Sequence, residues 1–233
     1  MIRVIYLCFF LFLIVSCKKS SENLMVVSGN VEGLKKGTLF FQKVRDSALF
    51  NIDSLEIKGD GNFAFEYEIE SPEIFYLYLQ KADNNDINDR ITFFGEPGEV
   101  AVNTSWNRFD GDAEIMGSAL HQQFENCKDM LSKFNTKELE LAQLQLLPEV
   151  QKDSIAADSI GRLNGLNFIR KYKYVLNFAL SNPDSYVTPY LALTEVADAN
   201  PKYLDSINNS LSERVANSKY GKALDDYVKT LKK

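Results

Sequence analysis

Hydrophobic residues in this chain keep two different periods, and the change from one to the other falls near Gly117. From Met25 to Met116 the apolar residues come in short runs that alternate with polar ones or are wholly apolar, with turn residues between them. FAFEYEI is the clearest run: Phe63, Phe65, Tyr67 and Ile69 fall on one side, Ala64, Glu66 and Glu68 on the other. That is the two-residue period of a half-buried strand. Strands are expected at 25–31, 38–43, 52–58, 63–69, 74–80, 90–94, 100–104 and 113–116. Gly33, Gly37, Gly59-Asp60-Gly61-Asn62, Ser71-Pro72 and Pro97-Gly98 punctuate them. Short strands at this spacing, with no helical pattern between them, point to antiparallel pairing in a sandwich or barrel.

After Ser118 the period becomes helical. Leu120, Phe124, Cys127, Leu131 and Phe134 recur at offsets of three and four, and Phe168, Tyr172, Val175, Leu176 and Ala179 do the same. Further helices are expected at 137–147, 189–197, 201–216 and 220–231, with Asn182-Pro183-Asp184 and Asn200-Pro201 as breaks. The fold class is therefore α+β: an amino-terminal antiparallel β-sandwich (25–117) followed by an all-helical region (118–233).

The first residues are of another kind. Residues 4–16 read VIYLCFFLFLIVS, an uncharged run behind Arg3. It is too short to cross a bilayer, which takes about 20 apolar residues, and it has the layout of an export signal. Ile14-Val15-Ser16-Cys17 at its end resembles the bacterial lipobox, in which cleavage precedes a cysteine that is then acylated. Residues 1–16 are thus read as a lipoprotein signal, Cys17 as the lipid attachment point and 17–24 as a polar tether. Multiple acyl chains on Cys17 would make membrane anchoring stable, whereas one chain alone binds reversibly.

Composition narrows the remaining classes. The hydrophobic fraction of 45% and the charged fraction of 25% are those of a packed globular chain. The net charge of −6, and the lack of a basic stripe with interleaved aromatics, speak against a nucleic-acid partner. Of the three cysteines, Cys8 leaves with the signal and Cys17 carries lipid, so Cys127 stands alone and no intramolecular disulfide is expected.

No catalytic constellation is visible. Cys127 lies on an apolar helix stripe and reads as a core residue rather than a reactive thiol, and no Cys-x-x-Cys pair is present. His121 is the one histidine, six positions from Cys127, and reads as a surface or helix-start residue. KADNNDINDR is rich in oxygen ligands, but a calcium loop counted from Asp83 has Ile87, Asn88 and Phe94 where an acid or amide, a glycine and a glutamate are needed. Glu96 and Glu99 flank Pro97-Gly98 as ordinary turn acids. Neither a phosphate-cradling glycine loop, a serine elbow nor a zincin motif occurs, so the chain is read as non-enzymatic, with no metal and no cofactor.

IFYLYLQ, residues 74–80, is the exception to the alternation. Phe75, Leu77 and Leu79 make one face, Ile74, Tyr76 and Tyr78 the other, and neither is polar. One face must fill the sandwich. The other is expected to pack on the helices, with the stripe from Leu120 to Phe134 the nearest lid in sequence, or on a partner. Tyr76 and Tyr78 are therefore the candidate binding residues.

VSGNVEGLKKGTLFFQK, DSLEIKGDGNFAFEYEIESPEIFYLYL, ITFFGEPGEVAVNT and AEIMGSALHQQFEN, taken in order, resemble the uncharacterised DUF4369-like amino-terminal domain of Bacteroidetes-type envelope lipoproteins. Gly29, Asp53-Ser54, Gly61 with Phe63 and Phe65, Glu96 with Gly98, and Gly117-Ser118 carry the likeness, and NPDSYVTPYLALTEV and VANSKYGKALDDYV resemble the helical linker that follows. In such proteins a thioredoxin-like domain commonly comes next, and its redox cysteines are not found before Lys233. The resemblance implies a protein of the cell envelope, anchored through Cys17 to a membrane, the outer one rather than the inner. It acts as a binding or interaction module or, alternatively, as an accessory subunit for thiol-disulfide exchange with a separate thioredoxin-like partner. It also implies O-glycosylation at Asp-Ser sites, with Ser47, Ser54, Ser154, Ser159 and Ser206 as candidates, although Asp-Ser also starts turns and helices.

Overall fold

β5 (Glu73–Lys81) bears large apolar side chains on both faces, and the protein is built on both sides of it. The computed structural model describes residues 22–45, 48–81 and 89–232. The expected signal, Cys17, most of the expected tether, Ser47 and residues 82–88 of the KADNNDINDR segment lie outside the described residues.

Eight strands form two four-stranded sheets. One is ordered β4 (Asn62–Glu68), β1 (Leu24–Glu32), β7 (Gly98–Ser105), β8 (Glu114–Met116); the other β3 (Ala48–Lys58), β2 (Lys36–Arg45), β5, β6 (Asp89–Gly95). Phe75, Leu77 and Leu79 join Phe41, Phe63, Phe65 and Phe93 in the core between the sheets, with Met25, Val27, Val100 and Val102 from the facing sheet. The sandwich and the α+β class agree with the sequence reading. Pairing is not antiparallel throughout, however: β1 runs parallel to β7, with Val27 opposite Val100. Alternation has the same period in either strand direction, so it specifies the buried face and leaves the direction open. β1 sits between β4 and β7, and at Gly29 the backbones come so close that a Cβ would overlap the Val102 carbonyl oxygen.

Two expected helices, over the 120–134 stripe and 137–147, prove to be one. α1 (Ala119–Gln145) runs unbroken for 27 residues because no Gly or Pro interrupts it before Pro148, which opens α2 (Pro148–Lys152). α3 (Ser154–Ser181) is capped by Asp153, whose carboxylate accepts from the Ile155 and Ala156 amides. α4 (Val187–Glu195) follows the Pro183 break. The helix expected over 201–216 is divided into α5 (Pro201–Ser210) and α6 (Glu213–Ala216), since the Ser212 amide turns away to donate to the Pro183 carbonyl. α7 (Lys219–Leu231) closes the fold, capped by the Ser218 hydroxyl.

The outer face of β5 meets these helices at one end. Ile74 and Phe94 enter a second core with Phe124 of α1, Leu191 of α4 and Leu224 of α7. The lid is thus shared among three helices rather than supplied by the α1 stripe alone. α1 and α3 pair along their length, and their far ends carry exposed apolar residues, Leu146 at 72% and Ile155 at 78%. Among the described residues no helix is long and apolar enough to cross a membrane.

Candidate functional site: a tyrosine shelf beside the helices

Strand register assembles the site. On the outer face of the second sheet, Gln42 of β2 is opposite Asn51 of β3 on one side and Tyr76 of β5 on the other, and Tyr76 is opposite Thr92 of β6. The next row aligns Ser54, Phe40, Tyr78 and Arg90. Helices cover the end of this face at Ile74 and Phe94. They leave Phe40, Tyr76, Tyr78, Thr92 and Arg90 partly accessible, so a shelf opens at the inside corner between sheet and helices.

Aromatic rings form its floor. Phe40 and Tyr78 stack with centroids 5.7 Å apart, and the Arg90 guanidinium lies 5.8 Å from the Tyr76 ring centre and 5.4 Å from that of Tyr78. These distances are within the range of a cation–π attraction. Burial raises the pKa of the Tyr76 phenol, an effect that Arg90 opposes, so the phenol stays neutral. On the helix side Tyr190 is pushed up to about 12 by burial, with the Tyr76 and Glu195 charges adding to it.

Two polar atoms on this face are unsatisfied. Gln42 is 7% exposed; its Nε2 donates to Asn51 Oδ1 at 2.7 Å, while its Oε1 is buried and has no hydrogen-bond partner among the described residues. The Arg90 Nε–H is likewise buried and, among the described residues, without a hydrogen-bond partner. Leaving such a group unpaired costs about 1–3 kcal/mol, so each of the two calls for a physical reason. Exchanging the ends of the amide would move the vacancy from oxygen to nitrogen without removing it.

The other sequence candidates fall elsewhere. His121 stands at the start of α1 but is not a surface residue. At 3% exposure, its Nδ1 accepts from the Phe94 amide at 3.3 Å, and burial lowers its pKa against the opposing pull of Glu125. The expectation of a surface position failed because the helix start is tucked against β6, a contact no local pattern displays. Cys127 is buried in the second core, and burial pushes its thiol up. Glu96 is more than a turn acid: its Oε1 accepts from the Ser118 hydroxyl at 2.7 Å and from the Leu120 amide at 3.0 Å, fastening the sandwich to the first turn of α1. Glu99 is exposed. Ser54 is exposed on β3 beside the shelf, and Ser154 opens α3. The Ser159 and Ser206 hydroxyls donate back to the Ile155 and Lys202 carbonyls within their helices. Among the described residues no group of three or more His, Cys, Asp or Glu is placed to hold a metal ion.

Residues 25–124 match a family described as a domain of unknown function, DUF4369. The chain carries a DUF4369-like domain. The match begins in β1, takes in both sheets and reaches Phe124 in the second turn of α1. Every strand of the shelf therefore lies within the DUF4369 match, as do Glu96, Ser118 and His121, which tie that domain to α1. No curated protein matches the chain.

Sequence reasoning found Tyr76 and Tyr78 from the second apolar face of one strand. Phe40, Gln42 and Arg90 escaped it because each looks ordinary on its own strand. The one usable signal was Arg90, a cation next to a strand otherwise made of ITFF.

Proposed function

We propose that this protein is a non-enzymatic, lipid-anchored module of the cell envelope that binds its ligand or partner on the tyrosine shelf of its DUF4369-like domain. The observation that carries the binding half is the conjunction of a partly accessible aromatic floor with two buried polar atoms that lack hydrogen-bond partners among the described residues. A surface kept only for packing gains nothing from either. The anchoring half rests on the apolar run ending at Ser16-Cys17.

Labelling cells that express the full chain with an alkyne palmitate tests the anchor. The wild type takes the label and sediments with membranes, and Cys17→Ser does neither; labelling of both, or of neither, removes the anchor from the proposal. The shelf is tested by hydrogen exchange of the full chain with and without envelope extract. Protection of β2, β5 and β6 that disappears in Tyr78→Ala is expected, and wild-type protein that gains no protection there overturns the assignment.

A further inference from the structure

Resting on that reading of the shelf, we infer that its ligand is an uncharged saccharide, held by one sugar face on the rings and by hydroxyl groups on Gln42 and Arg90. The two orphans have opposite needs: Gln42 Oε1 lacks a donor and Arg90 Nε–H lacks an acceptor. A hydroxyl group is the common chemical function that meets both, since it donates one proton and offers two lone pairs. A carboxylate or phosphate would serve Arg90 alone, and an ammonium would serve Gln42 alone. A ligand presenting several hydroxyls answers both from one molecule.

Spacing agrees with this. Gln42 and Arg90 stand two strands and one row apart, with Tyr76 and Tyr78 between them. With strands about 4.8 Å apart, their Cα atoms are separated by roughly 12 Å, a span for a ligand that lies over the tyrosines rather than between the two side chains. The floor suits the same ligand. Pyranose rings expose an apolar CH face, and the partly accessible rings of Phe40 and Tyr78 offer apolar surface for it to pack against. Asn51, exposed and already bonded to Gln42, adds a further amide at the margin. Both orphan atoms are out of reach of bulk water, so a ligand hydroxyl satisfies them only with a side-chain shift that admits it.

Saturation-transfer NMR tests the inference on the full chain in a detergent without a sugar headgroup. The probes are maltose, cellobiose, chitobiose and mannobiose at millimolar concentration, with glucuronate as the anionic control. Transfer to the CH protons of at least one neutral disaccharide is expected. Gln42→Leu should weaken that binding about tenfold while leaving the melting temperature unchanged or raised, because it removes a buried unpaired acceptor. Tyr78→Ala should abolish it. No transfer to any of the four, or binding undiminished in both variants, overturns the inference. Transfer to glucuronate alone also overturns it, yet leaves the shelf as a binding site. The two failures are thus distinguishable: loss of exchange protection on the shelf in extract speaks against the binding module, whereas silence from neutral sugars speaks only against this ligand class.

Discussion

Phe41 and Phe94 are both fully buried on the same sheet, but they face opposite ways into different chemistry. Around Phe41 lie Phe65, Phe75, Phe93 and Tyr67, with centroids 5.4 to 6.3 Å away, and the sandwich core is joined chiefly by apolar contact, with Lys43 over the Tyr67 ring at its margin. Around Phe94 lie Phe124, Tyr190 and Tyr220, and buried hydrogen bonds accompany the ring contacts there. The Phe94 amide donates to His121, its carbonyl accepts from Ser118, and the neighbouring Ile74 amide donates to the Tyr220 hydroxyl. At the margin Glu73, almost fully buried, pairs with Lys43 at 3.1 Å and with Lys219 of α7. Apolar burial has no direction and tolerates sliding. Hydrogen bonds with buried partners fix how the helices sit on the sheet. The sandwich is held together by its core, and the helices are held in place by their junction.

That contrast predicts where damage is global and where it is local. Phe41→Ala should cost about 3–5 kcal/mol and lower the denaturant midpoint of the whole domain in one transition. Phe94→Ala removes the same ring from the junction. Hydrogen exchange should then rise in α4 and α7 while β1, β4 and β7 stay protected. Equal loss of protection in both halves would erase the distinction between the two cores.

How much of this could be read beforehand follows from the same physics. Eight strands were legible because alternation survives any arrangement of neighbours, and the two-faced β5 announced a second layer by itself. Strand direction was not legible, since β1 alternates identically whether β7 runs with it or against it. A helix end set by local chemistry, such as Asn200-Pro201, was visible. The split at Leu211-Ser212 was not, because a carbonyl from a distant loop imposes it. The shelf was half legible. Its tyrosines share a strand, but Gln42 and Arg90 join them only through the register of three strands.

The second test isolates direction from burial at the junction. Tyr220→Phe keeps the ring and leaves the Ile74 amide without its partner, which should cost about 1–3 kcal/mol. Tyr190→Phe is the matched control, since its ring packs on Phe94, Phe124 and Tyr220 and no hydrogen bond of its hydroxyl is seen among the described residues; its effect should be within about 0.5 kcal/mol. If the two variants melt alike, the junction is ordinary packing.

Acid adds a weaker probe of the same place. His121 has its folded pKa below the ordinary value near 6.5 because burial disfavours the imidazolium, with Lys128 adding to this and Glu125 opposing it. Between the folded and unfolded values the unfolded chain binds the extra proton. The contribution of neutral His121 is therefore complete above about pH 6.5 and is lost as pH falls below that, by at most about 1.4 kcal/mol per pH unit. His121→Asn keeps an acceptor near Nδ1 for the Phe94 amide and cannot titrate there. Its stability between pH 7 and 5, measured by urea titration, should fall less steeply than that of the wild type; parallel curves would mean that His121 is solvated in the folded state.

The smallest effect is expected at the far end of the α1–α3 hairpin, which belongs to neither core. Ile155 is 78% exposed in the first turn of α3, and the capping of that turn is done by Asp153 through backbone amides. Ile155→Lys removes apolar surface that is already in water, so no burial is lost and the cap is untouched. A lysine at a helix start meets the positive end of the helix dipole, an unfavourable term of about 0.3–1 kcal/mol, partly offset by the better helix propensity of lysine over isoleucine. The net change should stay within about 0.5 kcal/mol by urea titration, with exchange rates in both cores unaltered. A loss of 2 kcal/mol or more, by contrast, would mean that this end is covered in solution. The hairpin would then count as a third packed region, and the two-core account would have to include whatever covers it.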